Sequence, residues 1–480
     1  METNKNINND LPMLFVDMDG CLIKTDMLYE SFFALLKSNF LHCLLIPFWL
    51  LRGKAYMKEM IAQRVNLDVD SLPYNNKLID FLKTEKNNGR TLILATATNH
   101  ILAKKISEYL GLFTDVISSS IDENISGKRK LKKIQAVTNG KPFEYAANAM
   151  IDIHIWKHAE AAILVNPDRN VEKSARLVTT IRHIFNERNT RLLRYIKAIR
   201  VYQWMKNLLI FVPLFTAHQF TNIPLIINGM IAFTAFSLCA SGVYVLNDLL
   251  DLPADREHPR KRLRPFASGD IKLSHGILLA CLLPAIGLGL ALSLSPDFFG
   301  ILFLYLFMTT AYSVKFKAHA IIDVLLLAGL YTIRIFAGAI AIDVVLSFWL
   351  LTFSMFIFLS LALVKRCSEL IMLSNANRKE SSGRGYHISD LDLLKMMGVS
   401  SGYLSILIVA LYIDNPTVTQ QYSHPQLLWL LCPVLLLWIS RVWLKTVRSE
   451  MHDDPLVFAI KDKVSHAVIL ISGLIVLLAI

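Results

Sequence analysis

Apolar and polar positions alternate on two length scales along the chain. Up to about residue 200 the apolar runs are short and lie between charged helical stretches. Beyond about residue 205 they lengthen to the roughly 20 residues that a bilayer span requires. The short runs Leu14–Val16, Thr91–Ala95, Tyr145–Ala147 and Ala161–Val165 read as buried parallel strands. Helical segments separate them, so residues 1–190 are expected to form a doubly wound α/β domain. The long runs lie near 205–220, 224–246, 273–293, 297–314, 320–341, 345–364, 396–413, 425–444 and 464–480. They predict an all-α polytopic membrane bundle of about nine transmembrane helices over residues 191–480.

The connections between these runs differ in charge. Asn247–Lys272, Lys315–His319, Lys365–Lys395 and Lys445–Lys463 all carry Lys or Arg, whereas 218–223, 295–297, 341–344 and 413–424 carry none. Basic residues collect on cytoplasmic loops, so the first set and the N-terminal domain are expected on the cytoplasmic face. With an odd count of spans the C-terminus then faces outward. One apolar stretch, Phe32–Leu51, is interrupted by Lys37, Asn39, His42 and Pro47. A crossing there would put a bilayer between Asp17 and the later polar positions of the same domain. It is therefore read as part of a helical cap near residues 28–80 whose apolar face rests on lipid; a buried cap helix is the alternative.

Composition fits this division. The 480 residues are 54% hydrophobic with a net charge of +12. The charge bias of the loops accounts for the basic balance without nucleic acid. The six cysteines show no metal or redox spacing. The first ten residues are polar and lack the apolar core of a signal peptide.

Candidate chemistry begins where the first strand ends. Asp17 and Asp19 have the same parity and project together past its carboxyl end, where open α/β sheets bind ligands. Thr96 follows the second run, and Asn148 and Asp152 follow the third. DMDGCL and these later positions resemble the phosphatase branch of the haloacid dehalogenase superfamily. The resemblance implies Asp17 as nucleophile and Asp19 as general acid/base. Thr96 would bind the transferred phosphoryl group. Lys130 would neutralise it, with Lys128 as second choice. Magnesium would sit on Asp17, Asp19 and Asp152. Asn148 stands where an acidic residue is usual, which leaves open a degenerate domain kept for docking.

In the second half, Asp248, Asp251 and Asp255 are three and four positions apart and share a helical face unless Pro253 turns the last away. Carboxylates at a membrane border repel one another unless a cation joins them, and hard oxygen ligands favour magnesium. Arg256, Lys261, Arg262 and Arg264 follow at once, a sequence suited to a metal diphosphate rather than to a solvated acidic loop. Tyr312, Lys317 and Asp323 form a second polar group, Arg334 interrupts an apolar run, and Lys365 ends another. A charge inside a span is a functional candidate, with snorkelling to the interface as the alternative for Arg334.

Asn247–Asp255, NDxxDxxxD, and Tyr312–Asp323 resemble the two motifs of the UbiA-type prenyltransferase superfamily. RVYQWMKNLLIF, HPRKRLRPFASG, AYSVKFKAHAIIDV, GRGY and DPLVFAIKDKVS look closer still to the polyprenyl-phosphate phosphoribosyltransferases, which make lipid precursors for cell-wall polymers. That resemblance implies transfer of 5-phosphoribose from phosphoribosyl diphosphate to a polyprenyl phosphate. Magnesium would lie on the three aspartates. Asn247, Arg256, Lys261, Arg262, Arg264, Tyr312, Lys317, Asp323, Arg334 and Lys365 would contact substrate. It places the chain in a bacterial inner membrane and leaves room for a homo-oligomer. The fused domain is then expected to remove the 5-phosphate of the product. An aromatic-acceptor prenyltransferase using an allylic diphosphate is the rival reading, and a non-catalytic lipid-binding scaffold is a third.

Overall fold

In a computed structural model of the protein, residues 11–186, 191–375, 385–416, 422–451 and 454–480 are described. Of the GRGY motif only Gly385 and Tyr386 are among them. The chain forms two compact units: Met1–Ile199 with Tyr244–Ala280, and Arg200–Val243 with Cys281–Ile480.

The first unit is built on six strands: β1 (Met13–Val16), β2 (Leu92–Asn99), β3 (Asp115–Ser119), β4 (Phe143–Ala147), β5 (Ala161–Val165) and β6 (Thr180–Phe185). All pairings are parallel and the order is β3-β2-β1-β4-β5-β6. The expected doubly wound sheet is therefore present, with β1 at its centre. Connections leave β1 in both directions, which opens a crevice at the carboxyl ends of β1, β2 and β4. Along β1, Leu14 and Val16 enter one apolar layer with Leu22, Leu78 and Leu94, while Phe15 enters the other with Tyr145 and Trp156. Burial on both faces explains why this strand reads as a continuous apolar run.

Between β1 and β2 lie the cap helices α1 (Met27–Ser38), α2 (Phe40–Cys43), α3 (Ile46–Leu51) and α4 (Lys54–Ala62), followed by α5 (Asn76–Asn87). Asp26 caps α1, its carboxylate accepting the Leu28 N–H at 2.8 Å. After β2 come α6 (His100–Leu110) and, beyond β3, α7 (Lys128–Thr138), with the short helices α8 (Ile153–Trp156), α9 (Arg169–Arg176), α10 (Arg191–Ala198) and α11 (Val212–Thr216) further along the chain.

Among the described residues, seven helices are long and apolar enough to cross a membrane. They include α12 (Ile223–Leu250), α14 (Leu273–Leu294), α15 (Pro296–Val314), α16 (Ile322–Ala341) and α17 (Phe348–Asn375), and the other two lie within 388–413 and 425–447. Seven of the nine expected spans are thus matched among the described residues. The first expected span is instead a 3-10 segment, Val201–Phe211, followed by the short helix Val212–Thr216 with Pro213 in its first turn. Its polar residues Lys206 and Asn207 are buried in side-chain pairs, so it is held by the bundle rather than by lipid. The last, Lys463–Ala479, is 17 residues long. Gly338 of α16 lies directly against the Ile210 carbonyl, a close approach that a Cβ would block.

Candidate active sites

The crevice at β1 holds a cavity of about 310 Å³ lined by Asp17, Asp19, Lys58, Thr98, Lys130 and Asn148 among others. Asp17 leaves β1 with its N–H on the Ala146 carbonyl at 2.8 Å. The Lys130 ammonium donates to Asp17 Oδ1 and to Tyr145 Oη, both at 2.9 Å, and Tyr145 Oη donates to Asp152 Oδ1 at 3.2 Å. A continuous chain thus joins Asp17, Lys130, Tyr145 and Asp152. Lys130 is buried at the start of α7, whereas Lys128 is exposed. Burial opposes the Lys130 charge, but Asp17 and Asp152 together hold its pKa above the ordinary lysine value.

Asp19 occupies a different position. Its Oδ1 accepts the Met27 N–H at 2.9 Å and its Oδ2 accepts the Thr98 hydroxyl at 2.6 Å. Asp19 thus joins the start of α1 to the end of β2 through its two oxygens. Burial, with the neighbouring Asp26 carboxylate, raises its pKa to about 7. A carboxyl that titrates near neutrality can both donate and accept a proton.

The hydroxyl that reaches this acid is Thr98's. Thr96 is fully buried, and its oxygen accepts the Thr98 N–H at 3.0 Å. Asn148 donates to the Gly20 carbonyl at 2.9 Å and so braces the loop after β1. Gly20 has φ +72°, and a Cβ there would collide with the Asn148 amide, so the turn needs glycine. The cap enters the cavity through Lys58 of α4, whose ammonium donates to the Ala97 carbonyl at 2.7 Å and to Asn124 Oδ1 at 2.9 Å. Sequence reasoning missed Tyr145, Thr98 and Lys58.

The site fits a divalent cation in part. Asp152 is raised to about 6 by burial and by the Asp17 charge, so two hard carboxylates stand close enough to repel each other. Among the described residues, no three His, Cys, Asp or Glu side chains are already gathered as a metal-holding group.

The second acidic group belongs to the same compact unit. Asp248 lies in the last turn of α12, and α13 (Leu252–Glu257) restarts the helix with Pro253 in its first turn, where a missing N–H costs nothing. Asp251 N–H still bonds the Asn247 carbonyl at 3.0 Å, and Asp255 N–H bonds the Asp251 carbonyl at 2.8 Å. The helical path therefore continues past Pro253, and Asp255 is not turned away. Asp248 and Asp255 converge on one nitrogen, Arg264 Nη1, at 3.1 and 2.6 Å. Asp251 lies instead 3.8 Å from Lys37 of α1, with a third of its side chain exposed.

Two hard carboxylates aimed at one positive centre form a donor set that suits magnesium. The guanidinium of Arg256, expected to contact substrate, is buried in pairs within this unit. It makes a two-pronged pair with Glu30 of α1 at 2.6 and 3.1 Å, and its Nε donates to the Ala267 carbonyl at 3.0 Å. Lys261 and Arg262 are exposed, and Arg264 is the cation between the aspartates.

In the second unit, Asp323 is fully buried. It accepts the Tyr312 hydroxyl at 2.7 Å and a two-pronged pair from Arg366, whose Nη2 donates to Oδ1 at 2.9 Å. Arg366 also meets Glu369 at 2.6 Å. Asp323 and Tyr312, both expected to contact substrate, are thus joined with Arg366 in one hydrogen-bonded group. Arg366→Met leaves Asp323 as an uncompensated buried carboxylate and is expected to destabilise the protein by about 3–5 kcal/mol. Thermal unfolding in detergent would show the loss, and adding Asp323→Asn would recover part of it. A single variant as stable as the wild type would contradict this reading.

Arg334 is likewise enclosed. It donates to Asn207 Oδ1 at 2.9 Å, to Tyr305 Oη at 3.2 Å and to the Leu330 carbonyl, with the rings of Phe236, Tyr305 and Tyr331 within 5.1–5.6 Å. Its side chain is buried inside the bundle, where it fastens the 3-10 segment to α15 and α16. Asn207 also donates to Ser237, and Lys206 pairs with Asp454. Lys317 and Lys365 are half-buried.

Residues 208–461 match the UbiA prenyltransferase family. The chain is 36% identical over 456 residues to the uncharacterized protein y4nM of Sinorhizobium fredii, covering 94% of this chain and 88% of that one. It is 35% identical over 279 residues to nodulation protein NoeC of Azorhizobium caulinodans, covering 58% of this chain and 90% of NoeC. It is also 35% identical over 179 residues to decaprenyl-phosphate phosphoribosyltransferase of Mycobacterium tuberculosis, covering 36% of this chain and 59% of that enzyme.

Proposed function

Because the chain belongs to the UbiA prenyltransferase family and is an integral membrane protein, with seven helices among the described residues long and apolar enough to span, we propose that it transfers 5-phosphoribose from phosphoribosyl diphosphate to a polyprenyl phosphate. The α/β domain then removes the 5-phosphate from the lipid product. The likeness to decaprenyl-phosphate phosphoribosyltransferase supports the first step. One observation carries the coupling. The Asp17–Lys130–Tyr145–Asp152 chain and the Asp248–Asp251–Asp255 cluster belong to one compact unit.

In the transfer, the anomeric C–O bond to diphosphate breaks, an oxygen of the lipid phosphate bonds to that carbon, and diphosphate departs. The acceptor is already an anion, so no general base is needed. Asp248, Asp251 and Asp255 would hold magnesium, which supplies positive charge to the leaving diphosphate. Arg264 holds Asp248 and Asp255 together, and the exposed Lys261 and Arg262 take further diphosphate oxygens.

In the hydrolysis, an Asp17 oxygen attacks the 5-phosphorus and the bond to the sugar oxygen breaks. Asp19 delivers its proton to that oxygen, then takes one from the water that releases phosphate from Asp17. Lys130 balances the phosphoryl charge, and Tyr145 holds Lys130 and Asp152 in place. Magnesium at Asp17 and Asp152 would add charge neutralisation. The Lys and Arg bias of one set of loops supports a cytoplasmic N-terminal domain at a bacterial inner membrane.

Membranes containing the protein are expected to convert phosphoribosyl diphosphate and polyprenyl phosphate to a phosphoribosyl lipid, and to stop when magnesium is chelated. Prenylation of an aromatic acid from an allylic diphosphate, with no phosphoribosyl lipid, would overturn the assignment.

A further inference from the structure

The helices α2 and α3 of the cap present an apolar surface to the outside of the first unit. Phe40, Leu41, Leu44, Phe48 and Leu51 are 59–85% exposed. The hairpin is nevertheless folded, because Trp49 packs inward with Leu35, Met57 and Ile61. Residues 31–58 contain Lys37, His42, Arg52, Lys54 and Lys58 and no Asp or Glu. A basic, acid-free segment with one large apolar face has the chemistry of a helix lying in an anionic bilayer surface.

The packing of α1 identifies which surface covers it. Phe33 of α1 shares a cluster with Val245 and Leu249 of α12, Leu252 of α13, and Leu273 of α14. Glu30 of α1 grips Arg256 in the same connection. α12 and α14 are both candidate spans, so the connection between them lies at a membrane border. Only Asn39 separates α1 from α2; its side chain accepts the Leu41 N–H at 3.0 Å and fixes the turn. The exposed hairpin therefore leaves α1 where α1 is fastened to the membrane border.

We propose that α2 and α3 lie in the interfacial layer of the bilayer that holds the chain's own spans, with anionic lipid headgroups around Lys37, Arg52 and Lys54. The start of α1 roofs the Asp17 cavity: Met27 bonds Asp19, and Met27, Leu28 and Ser31 line the cavity. Seating the hairpin in lipid brings that cavity to a phosphate carried just above the membrane surface. This consequence rests on the phosphatase reading above; the seating itself does not.

The test uses the full chain in nanodiscs containing phosphatidylglycerol, with Cys43, Cys281 and Cys432 changed to Ser. Nitroxide labels are placed at Leu44→Cys, at Leu51→Cys, and at the exposed control Glu108→Cys on α6. At positions 44 and 51, oxygen is expected to relax the label more than a water-soluble nickel chelate does, with the reverse at 108. Nickel access at 44 and 51 equal to that at 108 would overturn the proposal. So would protection from both reagents with label–label broadening, which marks a second copy of the chain on this face. In parallel, the Leu44→Glu/Leu51→Glu variant is expected to release phosphate from the phosphoribosyl lipid at least about tenfold more slowly, while hydrolysing soluble p-nitrophenyl phosphate at the wild-type rate. A chain that hydrolyses neither compound yet shows lipid depth at 44 and 51 would sink the phosphatase reading and leave the surface standing.

Discussion

Membranes carrying Asp251→Ala are expected to hold as much protein as the wild type and to form phosphoribosyl lipid about 100- to 1,000-fold more slowly. Asp248 and Asp255 are buried and balanced by Arg264, so their removal would mix a folding cost with a catalytic one. Asp251 is the member of the cluster that keeps a third of its side chain exposed, 3.8 Å from Lys37. Truncating it leaves the Arg264 pairs in place and removes one carboxylate from the diphosphate site. Hydrolysis of soluble p-nitrophenyl phosphate by the same membranes should be unchanged. Wild-type lipid synthesis by Asp251→Ala would remove this carboxylate from the transfer site.

Asp17→Asn is expected to have the opposite profile. It keeps the shape of the side chain and an acceptor for Lys130, so the domain should fold. An amide oxygen does not attack phosphorus as a carboxylate does, and release of the 5-phosphate should fall by about 1,000-fold or more. Transfer should continue, and the lipid should accumulate with its phosphate retained. Mass measurement of the extracted lipid decides the matter: a dephosphorylated ribosyl lipid at the wild-type level would exclude Asp17 as the nucleophile.

Much of this arrangement is legible along the chain, and the failures share a physical cause. β1 and β5 are buried on both faces and read as uninterrupted apolar runs, and β4 does so from Tyr145 on, past the buried Glu144. β3 and β6 lie at the sheet's edges, and residues such as Asp115, Arg182 and His183 hide them, because an edge strand is partly solvated. Thr96 and Thr98 fall on one side of β2 by the two-residue period, so spacing alone does not choose between them. In the structure Thr98 bonds Asp19, and Thr96 accepts the Thr98 N–H.

The arginines teach the same lesson at long range. Arg256 finds Glu30 from 226 positions away, and Arg334 finds Asn207 from 127. Residue type and local pattern mark each as a candidate for substrate. Only the tertiary pairing shows that both are already engaged. The effect of Pro253 was also illegible in the sequence: a proline in the first turn of a restarted helix preserves the shared face of Asp248 and Asp255 instead of breaking it.

The central claim is that one chain performs both steps in order. The most direct measurement supplies purified full-length protein in nanodiscs with polyprenyl phosphate and phosphoribosyl diphosphate radiolabelled in its 5-phosphate. Label is expected to enter the lipid fraction first and then to leave it as inorganic phosphate, with the lipid retaining an unphosphorylated ribose. Label that enters the lipid and stays there, or phosphate released without any labelled lipid, would contradict the account.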